Sequence, residues 1–174
     1  MSSLNRLQRT PIYQQNFFKL LASDEEVMKL ALDLAHMAAF WQEVPVGAVV
    51  LDQERRVIGM GVNHTLYYHD PTQHAEMMAL RDASRFMGNY RLPGSQLFVS
   101  LEPCMMCMGA ILHARVQRVV YAATDPKTGV CHSVLKQEQY AQLNHHTTIE
   151  GGMLQEQSAQ LLRDFFKARR AKKY

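Results

Sequence analysis

A chain of 174 residues with 47% hydrophobic content suits one globular domain with a sizeable core. No apolar run approaches the ~18 residues of a membrane helix, and the N-terminus carries no hydrophobic leader, so membrane and secreted classes are set aside in favour of the cytoplasm. Three cysteines, an odd number, fit a reducing compartment better than a disulfide framework. The net charge of +3 says less than its distribution. Six basic residues (Arg163, Lys167, Arg169, Arg170, Lys172, Lys173) crowd the last twelve positions against one acid, Asp164. Such a tail beside Phe165 and Phe166 can touch a phosphate backbone, or simply end a solvated helix whose dipole favours cations there.

Residues 1–22 are read as an N-terminal extension, and residues 23–174 as the domain. Ser23 and Glu26 form a capping-box pair, and Val27, Leu30, Ala31, Leu34, Ala35 and Ala38 make a helical stripe ending at residues 37–41. Residues 45–51 read as a buried strand and 57–62 as its antiparallel return. Residues 63–71 read as a loop rich in polar and aromatic groups. Thr72 is expected to cap the next helix, with His74 and Glu76 in its first turn. Gly88 and Pro93-Gly94 end that helix, and residues 96–101 form another strand. A helix starting at Pro103-Cys104, then a strand at 117–123, completes a right-handed βαβ unit with parallel strands. A turn at 125–129, a short helix at 133–140, a strand at 147–150 and an amphipathic helix at 153–170 complete the chain. Helices alternating with strands imply an α/β fold with a mixed sheet covered on both faces.

Pro103-Cys104-Met105-Met106-Cys107 places two cysteines three residues apart at a helix start, where the positive end favours thiolates. His74 supplies a third metal ligand. Three protein ligands leave one position of a zinc tetrahedron open, which marks a catalytic site. Glu76, two residues from His74, does not share its helix face and is better placed beside that open position than as a fourth ligand. Other readings stay open on the residues alone. The CxxC pair can be redox-active, Cys131-His132 can complete a structural zinc site, or the cysteines can be plain buried thiols. Cys131 reads as a free thiol, and Met105, Met106 and Met108 as core filling.

His74-Ala75-Glu76 followed by Pro103-Cys104-Met105-Met106-Cys107 resembles the H-x-E…P-C-x-x-C signature of zinc-dependent nucleobase deaminases. The resemblance extends to Glu43-Val44-Pro45-Val46-Gly47-Ala48, His69-Asp70-Pro71-Thr72, Leu101-Glu102-Pro103-Cys104, Asp125-Pro126-Lys127-Thr128-Gly129 and Leu161-Leu162-Arg163-Asp164-Phe165-Phe166. These are similar to the bacterial tRNA-specific adenosine deaminases over about residues 23–170. The resemblance implies a three-layer cytidine-deaminase-like fold with about five strands, a homodimer, and one zinc held by His74, Cys104 and Cys107. It implies deamination of adenosine to inosine at the wobble position of a tRNA anticodon, with Glu76 moving the protons. Asn63 would meet the purine ring, Val46 would wall the pocket, and Asp125 would lie near the flanking nucleotide. Lys127 and the tail with Phe165 and Phe166 would contact the anticodon stem-loop. Tyr67 and Tyr68 can stack on RNA or pack. The competing functions are a deaminase of a free base or nucleoside (cytosine, guanine or a pterin-like ring) and a non-catalytic zinc module that binds RNA.

Overall fold

A computed structural model describes residues 23–136 and 142–171. Residues 1–22, residues 137–141, which include half of the segment expected as a helix at 133–140, and residues 172–174 lie outside the described residues. The elements in order are α1 Asp24–Phe40, β1 Gly47–Leu51, β2 Val57–Val62, α2 Thr65–Tyr68, α3 Ala75–Met87, β3 Gln96–Leu101, α4 Met105–His113, β4 Arg118–Ala123, β5 Thr148–Gly151 and α5 Gln155–Ala171. No described helix is long and apolar enough to cross a membrane.

The capping box at the start of α1 is complete: Ser23 Oγ accepts from the Glu26 amide, and the Ser23 amide donates to Glu26. The strands form one five-stranded sheet in the order β2-β1-β3-β4-β5. β1 pairs antiparallel with β2 and β3, while β3–β4 and β4–β5 are parallel. β3 is therefore the strand at which the sheet changes sense, with α4 as the crossover to β4.

Side chains alternate across the sheet plane, so the strands feed two cores. Ala48 and Val50 of β1, Leu97 and Val99 of β3, and Val119 and Tyr121 of β4 pack with Ala75, Ala79 and Ala83 of α3 and Met108 and Ile111 of α4. Val49, Leu51, Phe98, Val120 and Ala122 point the other way, against Val27, Met28, Ala31 and Leu34 of α1. Both faces of the sheet are thus covered, and every residue of β1 is buried. That is why β1 reads as an unbroken apolar run rather than an alternating one.

Four local expectations are corrected. Thr72 does not cap α3; its amide and hydroxyl are taken by Asp70 Oδ1, and His74 is the N-cap. Pro103 precedes α4 rather than opening it, because Cys104 is the extended N-cap residue. The loop after β2 contains a one-turn helix, α2, that its polar and aromatic composition hides. Of the helix expected at 133–140, the described part (133–136) is turn and bend.

Candidate active site

Two helix N-termini meet beyond the end of β3. His74 is held extended at the entry to α3 (φ −75°, ψ 153°), and Cys104 at the entry to α4 (φ −80°, ψ 173°). Neither uses its side chain as a cap. Both side chains are thus free of the helices that follow them. The first amide of α3 is satisfied from a distance instead: Asn63 Oδ1, just past β2, accepts from the Ala75 amide at 2.8 Å. This bond ties β2 to the start of the site helix, and Asn63 is itself buried.

His74 Nδ1 lies 3.7 Å from Cys104 Sγ and 3.6 Å from Cys107 Sγ. Donors at zinc's usual bond lengths stand at the corners of a tetrahedron with edges of ~3.3–3.8 Å. The two distances therefore match a zinc triangle. Among the described residues His74, Cys104 and Cys107 are the group of ligand atoms that could hold a metal, all within 4.8 Å of one another. Cys131 and His132 stand apart from it. Cys131 is fully buried, and His132 Nδ1 lies 2.7 Å from the Tyr121 hydroxyl. Zinc fits these residues, and three protein ligands leave a tetrahedral position for a reactant.

The electrostatics agree with metal binding. The Cys107 thiol donates to Cys104 and holds its pKa down to about 4, the thiolate that a cation needs. The hydrogen bond to Cys104, with burial second, pushes the Cys107 thiol up, and a bound cation would displace that remaining proton. Glu76 is 4% exposed, interacts with Cys107 and lies within the influence of His74 and Cys104. Burial pushes its carboxyl up to about 6, close to where a proton carrier works best at neutral pH.

Two further acids organise the surroundings, and sequence reasoning gave neither a role. Glu102, 2% exposed, accepts from the amides of Asp125, Cys131, His132 and Ser133 and from the Ser133 hydroxyl. It gathers residues 125–133 against the end of β3, where Val130 also donates to the Pro103 carbonyl. Glu43, 1% exposed, accepts from the amides of Leu66 and Tyr67 and from Thr65 Oγ1, fixing α2. The available signal was an acid set within an apolar stretch, as in Val-Ser-Leu-Glu-Pro; a buried carboxylate must find donors.

The remaining predicted residues fall at different distances from this centre. Val46 is buried in the core beside Asn63, whose amide donates to its carbonyl. Asp125 commits both carboxylate oxygens to its own loop, accepting from Lys127 and Thr128. Lys127 is exposed. Phe165 and Phe166 meet edge to face on α5, with Arg169 over the Phe165 ring. Met108 is buried as expected, whereas Met105 is 56% exposed.

The cytidine and deoxycytidylate deaminase zinc-binding region matches residues 21–123. A tRNA-specific adenosine deaminase of Haemophilus influenzae is 45% identical over 150 residues, covering 86% of this chain and 87% of the relative. The chain belongs to this deaminase family. A solved tRNA:A34 deaminase, from work on A-to-I editing at the wobble position of transfer RNA, superposes with a TM-score of 0.74 at 40% identity. It covers 78% of this chain, which covers 98% of it. A guanine deaminase of Nitrosomonas europaea shares the fold at 23% identity and TM-score 0.75, over 90% of this chain and 93% of its own. His74, Cys104 and Cys107 all fall within the matched zinc-binding region.

Proposed function

We propose that this chain hydrolytically removes the 6-amino group of the wobble adenosine of a tRNA anticodon, leaving inosine and releasing ammonia. One observation carries the chemistry: a buried carboxylate, Glu76, stands at a His/Cys/Cys triangle of zinc dimensions. The substrate is supported by the relatives named above. When bound, zinc lowers the pKa of water towards ~7 and so supplies a nucleophile at neutral pH.

The chain's residues do the rest. His74, Cys104 and Cys107 hold the metal. Glu76 takes the proton of the attacking water, carries it to N1 of adenine, and then assists protonation of the amine leaving C6. Burial favours its protonated form, while a cation on the neighbouring ligands would favour the carboxylate that accepts the proton. Asn63 has spent its carbonyl oxygen on Ala75, so it offers the purine its NH2 group as a donor. Val46, beside it, walls the ring. Asp125 shapes the turn that presents Lys127, which with Phe165, Phe166 and the basic end of α5 meets the RNA backbone. An anticodon loop is single-stranded, so its bases can turn out towards a buried centre at low cost. Residues 23–174 act as one domain, paired as a homodimer in the cytoplasm.

The test is mass spectrometry of an anticodon stem-loop incubated with the zinc-loaded protein, alongside free guanine, cytosine and adenosine. Inosine at the wobble position with ammonia release is expected. Deamination of a free base with the RNA left intact would replace this reading with a small-molecule deaminase. Binding without any ammonia would replace it with a non-catalytic zinc module.

A further inference from the structure

Trp41, His64, Tyr67 and Tyr68 form one cluster of rings at the surface. The His64 ring centre lies 4.9 Å from that of Trp41, 6.1 Å from Tyr67 and 5.8 Å from Tyr68. Tyr67 and Tyr68 meet edge to face at 4.9 Å. The cluster is ordered but largely uncovered: Tyr67 is 73% exposed, Tyr68 56% and Trp41 45%. Rings that served the core would be covered, since burial is what stabilises an aromatic side chain.

The rings sit on a firmly held base. The Glu43 carboxylate accepts from the Leu66 amide at 2.9 Å and the Tyr67 amide at 2.8 Å, pinning the turn that carries both tyrosines. A buried carboxylate is thus committed to fixing exposed rings. The cluster also runs directly into the active site. His64 follows Asn63, and its amide donates to the Gln73 carbonyl at 3.0 Å, one residue before the zinc ligand His74. The cluster itself contains no lysine or arginine, so what it offers is π-surface rather than phosphate binding.

A single-stranded nucleic acid presents matching surface, because every base has a π-face and stacks on aromatic side chains with little regard to sequence. We propose that Trp41, His64, Tyr67 and Tyr68 are a stacking platform for unpaired nucleobases flanking the reacting adenine. The proposal rests on the RNA deaminase reading above. It makes the platform a substrate-positioning surface: stacked neighbours hold the loop splayed so that the target base reaches Asn63 and Glu76.

Trp41 is the only tryptophan in the chain, so its fluorescence reports this surface alone. The zinc-loaded Glu76→Gln protein is titrated with an anticodon stem-loop, and again with abasic nucleotides on either side of the target. Quenching by the intact loop, lost with the abasic loop together with a weakening on the order of tenfold or more, is the expected result. In the otherwise native enzyme, the Tyr67→Ala/Tyr68→Ala double variant raises KM for inosine formation by a similar factor, with the effect on KM rather than kcat. The Tyr67→Phe/Tyr68→Phe pair, which keeps the rings, restores it. Unquenched Trp41 with unchanged KM, while inosine still forms, overturns the platform and leaves the deaminase reading standing. Loss of amine from free bases only sinks that reading and the platform with it. A shift of the alanine variant to lower mass in sedimentation also overturns the platform, assigning this surface to contact between two copies.

Discussion

Glu76 and Glu102 are both carboxylates buried near one metal site, yet their surroundings give them opposite work. Glu76 has few donors, so burial dominates and its proton becomes exchangeable near neutral pH. Glu102 is also pushed up by burial, but the Ser133 hydroxyl and the amides of His132, Asp125 and Ser133 outweigh that and hold it below its ordinary 4.5. One is suited to move a proton and the other to stay charged. Glu76→Gln is expected to lose a factor on the order of 10² to 10⁴ in deamination while keeping its zinc, measured as inosine formed per metal-loaded chain. Glu102→Gln turns an acceptor into a donor facing amide hydrogens. It is expected to destabilise the fold by about 2–3 kcal/mol, read from denaturant unfolding. A change below about 0.5 kcal/mol would mean the loop at 125–133 does not depend on it.

The elements are set against one another more closely than side chains normally permit. A Cβ at Gly61 of β2 would lie 2.0 Å from the Ala75 carbonyl and 2.5 Å from the Ala79 amide of α3. A Cβ at Gly47 of β1 would lie 2.2 Å from the Ala31 carbonyl of α1. Each approach presses helix backbone onto the sheet, and α3 carries Glu76 at its start. Gly61→Ala is therefore expected to destabilise by about 1–3 kcal/mol and to lower kcat as well, because α3 must shift to admit the methyl. Thermal unfolding beside steady-state kinetics checks both, and loss of stability with native kcat would show that α3 yields without moving the site. The helix periodicities and the β2 boundaries were legible in sequence because each follows from local pattern. The His74 cap was not. Asn63 performs the capping from twelve residues away, and only the folded register brings it there.

Across the whole molecule, Arg118 on β4 joins the start of α1 to β5 through Asp24 and Glu150, at 2.8 Å and 2.6 Å. Burial would raise Asp24, but hydrogen bonds from Arg118 and Arg55 prevail and hold it below 3.8. The Arg118 hydrogen bond holds Glu150 below 4.5. Their stabilising contribution is therefore fully present above these unfolded values and is lost as the pH falls through the lower folded ones. Arg118→Ala is expected to reduce stability by about 1–2 kcal/mol at pH 7, with the difference from wild type shrinking below about pH 4 as the acids protonate. Melting temperatures across that range test it, and a pH-independent difference would assign the loss to packing of Arg118 over Phe98 instead.

The residue types and spacing of His74, Glu76, Cys104 and Cys107 pointed to a metal site, and only their resemblance to the deaminase signature singled out zinc-dependent deamination from the redox and structural-zinc readings. Apolar periodicity likewise determined a mixed sheet covered on both faces. Tertiary structure brought His74, Cys104 and Cys107 within 4.8 Å of one another and left Cys131 and His132 outside that group. It decided that Glu102 and Glu43 are buried anchors, and that Trp41 meets Tyr67 and Tyr68 in one exposed cluster. The reason is physical: ligand distance, desolvation and ring contact depend on where distant segments are brought together, and composition along the chain carries no record of that.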